Sequence, residues 1–279
     1  MLLIADSGST KVDWRAINDD GSVKSIYTEG LNPVYIKKDY VVNILKLKLL
    51  PEIGHNVSDI YFYGAGVLSV ELSNVLNGAF QAVFPKSKCH SASDILAAAR
   101  ALCGHKEGIA CILGTGSNSC FYDGNNVVKN VKAGGFILGD EASGGVLGRK
   151  LISDYIKGLL PKEIEMEFNK RYQLDYMKVV EMVYKQSMPN RFLASFSPFI
   201  SEFRENPHID RMLRGSFDEF FKRNILQYDY KKYDVNFVGS IAYYYKNILK
   251  DVAAYNDIRI GKIIKSPIDG LVEYHKELI

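Results

Sequence analysis

The apolar and polar positions of the first thirty residues predict three β-strands joined by tight turns. An apolar run, residues 2–5, leads into a polar turn that contains Gly8, and a second strand-like run, residues 12–17, ends at an Asp-Gly bend. Residues 23–28 read as a third strand. Short apolar runs bounded by Gly, Ser and Asp are typical of strands and their turns. The chain therefore opens with a predicted β-meander.

The same pattern occurs again in the second half of the chain. An apolar run that ends at Leu113 leads into Gly114-Thr115-Gly116, a second run follows, and residues 127–131 form the third strand. Gly8 and Gly116 are predicted to occupy equivalent places. A repeat on this scale, in 279 residues, predicts two domains, residues 1–107 and 108–279.

Helical periodicity dominates the rest of the chain. Apolar residues recur at helical spacing in four segments, and the third of these predicts a helical insertion in the second domain. The segments are residues 39–50, 69–84, about 152–229 and 243–253. Three further apolar runs predict buried strands at residues 59–63, 86–90 and 235–238.

The two glycine turns are the first candidate for chemistry. Glycine lets a backbone come within hydrogen-bonding distance of a ligand, and successive N–H groups in such a turn form a concavity for anions. Two such turns could hold a polyphosphate from both sides. The alternative is that both are ordinary hairpin loops; their occurrence in matched strand context favours the functional interpretation.

Two polar side chains stand where a strand gives way to a loop or helix. Asp94 precedes an Ala-rich helix, where it could be an N-cap residue or a general base at the carboxyl end of a strand. Asn32 precedes Pro33 and could bind a ligand or simply form an Asn-Pro turn. Gly239 and Ser240 follow a buried strand, and a glycine there would let a flat ring lie against the backbone.

A glycine-dense segment, residues 134–148, contains six glycines in fifteen residues. Its second part, from Gly144, predicts a helix that packs closely on a neighbour. Its first part presents Asp140 and Glu141 on a turn, with roles that range from metal or sugar contact to helix capping.

Composition and charge exclude several classes of protein. The chain is 47% apolar and 24% charged, which is typical of a soluble globular protein, and its formal net charge of +3 is spread without a basic stripe, so we expect no nucleic-acid partner. No apolar run reaches the ~20 residues of a membrane span, and the first residues lack a basic leader, so we expect no membrane partner and a cytoplasmic location. The spacing of the four cysteines matches no zinc or iron–sulfur motif, which indicates reduced thiols.

Together these segments resemble the sugar-kinase branch of the actin, Hsp70 and hexokinase superfamily, most closely the N-acetylglucosamine kinases of the BadF/BadG/BcrA/BcrD ATPase family. The resemblance is strongest at residues 4–12, 92–98, 112–119, 134–144 and 237–242. It implies an α/β protein with a two-domain actin-like ATPase (ribonuclease H-like) fold, in which each domain is a mixed sheet with an opening β-meander flanked by helices. ATP would lie in the cleft between the domains.

The resemblance also implies roles for individual residues. Asp94 matches the catalytic base, and Asp6 would hold Mg²⁺ through water. The remaining matches fall into a nucleotide set and a sugar set. The nucleotide set is Asp6, Gly8, Ser9, Thr10, Lys11, Gly114, Thr115, Gly116, Gly239 and Ser240, and the sugar set is Asn32, Ser117, Asn118, Gly134, Gly135 and Asp140.

The implied reaction is transfer of the γ-phosphoryl group of ATP to a small-molecule sugar, most closely N-acetylglucosamine, to give the 6-phosphate. The family's habit implies a homodimer. One departure is Ala142, where the family usually has glycine, and another is a shortened loop at residues 134–138, which leaves the hexose open. Two alternatives remain: an ATPase activator of a CoA dehydratase or reductase, and a sugar-sensing protein without turnover.

Overall fold

Ten strands form two five-stranded sheets in the computed structural model, which describes residues 1–8 and 11–276. The strands of the first sheet are β1 (Leu2–Ser7), β2 (Lys11–Ile17), β3 (Val23–Glu29), β4 (Asp59–Gly64) and β5 (Lys88–Ser93). Those of the second are β6 (Glu107–Leu113), β7 (Ser117–Asp123), β8 (Val127–Val131), β9 (Val235–Val238) and β10 (Ile260–Ile264).

Both sheets have the same topology. The first has the order β3-β2-β1-β4-β5 and the second the order β10-β9-β6-β7-β8, which is the same sequence of strands read from the other edge. In each, three antiparallel strands form the meander. A fourth strand pairs in parallel with the first strand of the meander, and a fifth pairs in parallel with the fourth. The prediction of a repeated meander in two mixed sheets is confirmed.

The register of the two hairpins changes one detail of the predicted repeat. The first strands end at Ser7 and Leu113, and the second strands begin at Lys11 and Ser117. Gly8 therefore matches Gly114, and not Gly116 as predicted. The predicted match of the two turns is displaced by two residues, because both turns contain several small polar residues that can be matched in more than one way.

Helices cover the sheets. The first group is α1 (Lys38–Ile44), a π-helical turn (Leu45–Leu49), α2 (Leu50–Ile53), α3 (Val70–Val83) and α4 (Asp94–Cys103). The second group is α5 (Gly135–Leu138), α6 (Gly144–Ile156), α7 (Lys162–Tyr172), α8 (Tyr176–Tyr184), α9 (Pro189–Ala194), α10 (Ser197–Glu202), α11 (Pro207–Arg223), a 3₁₀ turn (Ile225–Gln227), α12 (Ser240–Tyr244), α13 (Lys246–Tyr255) and α14 (Ile268–Lys276). Among the described residues, no helix is both long and apolar enough to span a bilayer.

The chain divides into two compact units. Unit 1 contains Met1–His105, Gly124–Asn126 and the segment from Pro267, and unit 2 contains Lys106–Asp123 and Val127–Ser266. Strand β1 is buried on both faces in unit 1, as expected for a strand with a parallel neighbour. Its alternate residues enter two cores: Leu3 and Ala5 face one cluster, and Leu2 and Ile4 face another.

The C-terminal helix α14 packs in unit 1, although its position in the sequence lies within the second predicted domain, 108–279. Ile268, Leu271 and Val272 bury their side chains in the cluster that contains Leu2 and Ile4. Gly270 permits a close approach to α4, because a Cβ atom there would lie 2.6 Å from the carbonyl oxygen of Ala101. The pattern of α14 shows an apolar face but does not say which sheet that face covers.

Unit 2 owes its larger core to the predicted helical segment. Helices α6 to α11 bury a group of phenylalanines against the second sheet. The dense glycines of α6 serve this packing: a Cβ atom at Gly148 would lie 1.9 Å from the carbonyl oxygen of Leu193 in α9. The expectation of a glycine-bearing helix packed closely on a neighbour is therefore confirmed. Strand β10 was not predicted, because its short run, interrupted by Gly261, carries little pattern.

Candidate functional site

Two carboxylates meet on one face of the sheet in unit 1. Asp6 continues the row of Leu2 and Ile4 near the end of β1, and Asp94 follows directly after β5 as the first residue of α4. Strand β4 lies between them, and its Gly64 pairs with both Ser7 and Ser93. The carboxyl ends of parallel strands thus bring together two residues that are far apart in the sequence, at the edge where open α/β sheets bind ligands.

Burial changes the protonation of both carboxylates. Burial raises the pKa of Asp6 to about 7, and the negative charges of Asp94 and Asp13 add to this rise, while Lys11 opposes it. Burial also raises the pKa of Asp94, against the effect of hydrogen bonds from the backbone of Ile95 and of Asp94 itself. Both groups bind a proton, or a cation, more readily than an exposed aspartate does.

The capping interpretation of Asp94 is corrected by one residue. The N-cap of α4 is Ser93, whose side chain makes no capping bond, and Asp94 lies inside the first turn of the helix. A carboxylate at a helix N-terminus is stabilised in its charged form, which lowers its pKa. Burial outweighs that effect and raises the pKa of Asp94.

Asn32 is fixed beside the ends of β1 and β4. Its Oδ1 accepts a hydrogen bond from the backbone N–H of Val34 at 3.0 Å, and the preceding Leu31 N–H donates to Ser7 Oγ at 3.3 Å. Gly66, with φ of 90°, leaves room for the amide: a Cβ atom there would lie 2.1 Å from Oδ1. Asn32 therefore forms the Asn-Pro turn of the plain interpretation and is also held at the same end of unit 1 as Asp6.

The first glycine turn is described only in part. Gly8 is exposed, and among the described residues the nearest atom to a Cβ placed there would be Lys11 O at 3.8 Å, an ordinary contact. The Lys11 ammonium lies 5.1 Å from the centre of the Tyr27 ring on β3. Ser9 and Thr10, both predicted phosphate contacts, lie outside the described residues.

The second glycine turn is tied to the start of α6 in unit 2. The backbone N–H groups of Gly144 and Gly145 donate to the carbonyl oxygens of Gly114 and Thr115 at 2.8 and 3.0 Å. Gly114 N–H itself donates to Gly116 O at 3.0 Å. A Cβ atom at Gly145 would lie 3.1 Å from Thr115 O, so a small residue is needed for this contact. These hydrogen bonds and this close approach fix the turn against the start of α6.

The predicted sugar residues of unit 2 cluster next to this turn. Asp140 Oδ1 accepts a hydrogen bond from the Ser117 N–H at 3.1 Å, and its Oδ2 lies 3.0 Å from where a Cβ of Gly116 would be. Asp140 N–H donates to Ala133 O at 2.8 Å, which brings Gly134 and Gly135 alongside. Both of these glycines have positive φ angles, 75° and 71°. The structure therefore brings Ser117, Asp140 and the two glycines together.

Asn118 lies on the adjoining strand and is anchored through its oxygen. Its Oδ1 accepts from Asn130 Nδ2 at 2.8 Å and from the Ser119 N–H at 2.9 Å. Any contact of Asn118 with a sugar would then be donated by its Nδ2.

A cavity of about 580 Å³ in unit 2 joins the remaining predicted nucleotide contacts. Gly114, Thr115 and Ser240 line it, and Gly239 lies beside it with φ of 123°. A Cβ atom at Gly239 would lie 2.2 Å from Leu113 O, so this position requires glycine. A volume of this size is typical of a small-molecule site.

Sequence reasoning missed the other wall of this cavity. Helices α10 and α12, with the residues that follow α10, supply it: Ser197, Pro198, Ser201, Glu202, Arg204, Tyr244 and Tyr245. The only available signal was the spacing of Ser197 and Ser201, which places two hydroxyls on one face of a helix. Such a spacing is common on ordinary helices, so it could not have identified the cavity.

The residues present fit a magnesium ion held mainly by water and phosphate. Mg²⁺ binds such sites through one or two carboxylates. The negative charge of Asp94 acts on the half-buried Asp6, and a cation would offset this repulsion. In the part of the chain that the structure describes, no three His, Cys, Asp or Glu side chains gather into an all-protein metal site.

Solved structures with the same fold show the family of this chain. No family model matches the chain, and no curated protein does. Among solved structures, a candidate N-acetylglucosamine kinase from Porphyromonas gingivalis is 41% identical, with a TM-score of 0.95 over 99% of both chains. A second candidate N-acetylglucosamine kinase, from Chromobacterium violaceum, is 17% identical, with a TM-score of 0.72 over 98% of both chains.

A third solved structure shares the fold alone. The ethanolamine utilization protein EutJ from Carboxydothermus hydrogenoformans is 14% identical, with a TM-score of 0.52 over 96% of this chain and 86% of that one. The repeated sheet topology and these likenesses together show the two-domain actin-like fold predicted from the sequence. With 41% identity to the Porphyromonas gingivalis protein across nearly its whole length, the chain belongs to the N-acetylglucosamine kinase branch of the BadF/BadG/BcrA/BcrD ATPase family of sugar kinases.

Proposed function

We propose that the protein is an ATP-dependent kinase of amino sugars that converts N-acetylglucosamine to its 6-phosphate. The observation that carries the proposal is the pair of half-buried carboxylates with raised pKa values, Asp6 and Asp94, at the carboxyl ends of the strands in unit 1. A proton acceptor and a cation-binding carboxylate are what transfer of a phosphoryl group to an alcohol requires. Kinship with two candidate N-acetylglucosamine kinases supports the choice of sugar.

Asp94 acts as the general base in this proposal. Its carboxylate accepts the proton of the sugar 6-hydroxyl while O6 forms a bond to the γ-phosphorus and the bond from that phosphorus to the leaving oxygen of ADP breaks. A base at this position contributes about 10²–10⁴-fold to the rate. The raised pKa of Asp94, caused by burial, makes the carboxylate a better proton acceptor than an exposed one.

Unit 2 holds the nucleotide in this proposal. The backbone N–H groups of Thr115 and Gly116 donate to the phosphates, and the adenosine occupies the cavity beside Ser240. Gly8 and Lys11 are further phosphate contacts in this proposal, and the resemblance adds Ser9 and Thr10, which lie outside the described residues. Asp6 would hold Mg²⁺ through water, and the ion when bound neutralises charge on the β- and γ-phosphates.

Side chains of the predicted sugar set hold the sugar. Asn32, Ser117, Asn118 and Asp140 supply donors and acceptors for its hydroxyl and acetamido groups. Gly134 and Gly135 let the backbone approach the ring. We further propose a cytoplasmic homodimer, as the family resemblance implies.

A coupled assay of ADP release across a panel of amino sugars tests the function. We expect release that depends on N-acetylglucosamine, with a product that carries phosphate on O6. ATP hydrolysis without any dependence on sugar would favour an ATPase activator instead. Sugar binding without ADP release would favour a sensor protein.

A further inference from the structure

Glu141, next to the predicted sugar residue Asp140, is a buried carboxylate with no role in the proposed chemistry. Its Oε1 is 2.8 Å from Arg223 Nε, and its Oε2 accepts a hydrogen bond from Asn224 Nδ2 at 3.1 Å. Both partners come from the end of α11 in the helical segment of unit 2. A buried carboxylate persists only when it is paired and hydrogen-bonded, so this contact is a fixed part of the fold.

The backbone on each side of Glu141 is strained. Asp140 and Ala142 have φ angles of 53° and 59°, in the left-handed region that non-glycine residues seldom occupy. Two residues on either side of one buried side chain keep such a backbone conformation only where the surrounding structure holds them. The hydrogen bond from Ser143 N–H to Asp140 O, at 3.0 Å, and the grip on Glu141 supply that hold.

Arg223 is itself anchored on the side away from Glu141. Its Nη1 lies 3.7 Å from Glu219 Oε1, and Glu219 also pairs with Lys150 of α6 at 3.4 Å. Lys150 Nζ donates to Ser216 Oγ at 2.9 Å. The guanidinium is therefore oriented by a network that spans α6 and α11, and not by Glu141 alone.

We propose that Glu141, gripped by Arg223 and Asn224, is a positioning residue that sets the affinity for the sugar by fixing the carboxylate of Asp140. The inference rests on the proposed function, because the role of Asp140 as a sugar contact comes from there. The effect passes through the strained backbone. The contacts of Glu141 with Arg223 and Asn224 fix the backbone next to Asp140, and this backbone orients the Asp140 carboxylate. That carboxylate accepts the hydrogen bond from Ser117 N–H and lies beside Gly116. The end of α11 thereby affects the affinity of the sugar site without contacting the sugar.

Arg223→Ala and Glu141→Gln test this proposal in the full-length protein. We expect each to raise the KM for N-acetylglucosamine by about tenfold, as loss of a charge-assisted hydrogen bond to a buried group implies. The KM for ATP should stay within about twofold, since the nucleotide cavity does not involve these residues. Arg223→Lys should restore part of the sugar affinity, because a lysine keeps the charge but not the forked geometry.

Arg214→Ala is the matched control. Arg214 lies on the same helix and forms ion pairs with Asp210 and Asp251 that do not reach Glu141. It should leave both KM values unchanged. The double variant Glu141→Gln/Arg223→Ala should be no worse than the more damaging single variant, because both remove one interaction. A rise in both KM values together, or an unchanged KM for the sugar, would overturn the proposal.

Hydrogen–deuterium exchange separates this inference from the proposed function. The N–H groups of Ser117 and Ser143 both donate to Asp140, so their exchange should be faster in Arg223→Ala and unchanged in Arg214→Ala. If the wild type releases no ADP with any sugar, the proposed function fails and the link to sugar affinity fails with it. Unchanged exchange in Arg223→Ala would show that the grip does not hold Asp140, whatever the enzyme does.

Discussion

Replacement of Asp6 by asparagine should stabilise unit 1 at neutral and alkaline pH but not in acid. The pKa of Asp6 is raised from 3.8 to about 7, first by burial and then by Asp94 and Asp13. Below pH 3.8 the carboxyl is protonated in both the folded and the unfolded chain and has no effect on stability. Between pH 3.8 and about 7 the unfolded chain loses this proton while the folded chain keeps it, so stability falls as pH rises.

The size of the effect follows from the shift. Each pKa unit corresponds to about 1.4 kcal/mol, so a rise of about three units would cost the folded wild type up to about 4 kcal/mol at pH 8. Asp6 is only partly buried by surface area, and water screens its charge, so we expect a difference of about 2 kcal/mol. Asparagine has nearly the same shape and no charge, so the variant escapes this cost.

Trp14 provides a signal specific to unit 1. It is the only tryptophan of the chain, it is fully buried, and it packs against Phe62 and Phe80 in the same core. Urea unfolding of the metal-free protein, followed by tryptophan fluorescence between pH 4.5 and 8, therefore measures the unit in which Asp6 lies. Asp39→Asn, at an exposed position of α1, serves as the control.

The expected result is a gain for Asp6→Asn that grows from about 1 kcal/mol at pH 4.5 to about 2 kcal/mol at pH 8, with no such trend for Asp39→Asn. A gain that is the same at both pH values would show that the charge of Asp6 is not the cause. A wild type more stable than Asp6→Asn at pH 8 would refute the reasoning outright.

Three further substitutions test other parts of the site. Asp94→Asn should lower kcat at least about a hundredfold while the Kd for ATP, measured by titration calorimetry, changes little; a variant with nearly full kcat would return Asp94 to a structural role. Asn32→Ala should raise the KM for the sugar more than the KM for ATP, and equal effects on both would remove Asn32 from the sugar site. Ala142→Gly should stabilise unit 2 by about 1 kcal/mol in urea unfolding, because glycine adopts a φ of 59° without strain; a loss of stability would contradict this.

The local parts of the fold could be predicted from the sequence. The meanders were predicted because strand alternation and glycine turns are properties of adjacent residues, and strand β8 was predicted with its observed bounds, Val127–Val131. The structure also shows why the family usually has glycine at position 142, because the backbone there is left-handed, a conformation that suits glycine better than alanine. The backbone conformation that a position requires restricts the residue types found there, so it can be predicted from the sequence.

Long-range contacts could not be predicted in this way. The meeting of Asp6 with Asp94 depends on the order of strands β1, β4 and β5, which the pattern of each strand does not contain. The wall of the cavity around Ser197 and Tyr244 comes from helices whose sequences show only where their buried faces lie. Glu141 was noticed as one of two adjacent acids, but its partner Arg223 is 82 positions further along the chain, beyond the reach of any local motif.

The packing of α14 on the first sheet has a consequence for biosynthesis. On the ribosome, residues 1–105 emerge long before Ile268, Leu271 and Val272, which cover Leu2 and Ile4. Until those last residues appear, one apolar side of the nascent first sheet stays open to water, and domains that emerge early usually fold first. Unit 1 must therefore wait for the segment after residue 266 to be translated, so a stop codon near position 266 should leave residues 1–105 prone to aggregation even though their sequence is intact.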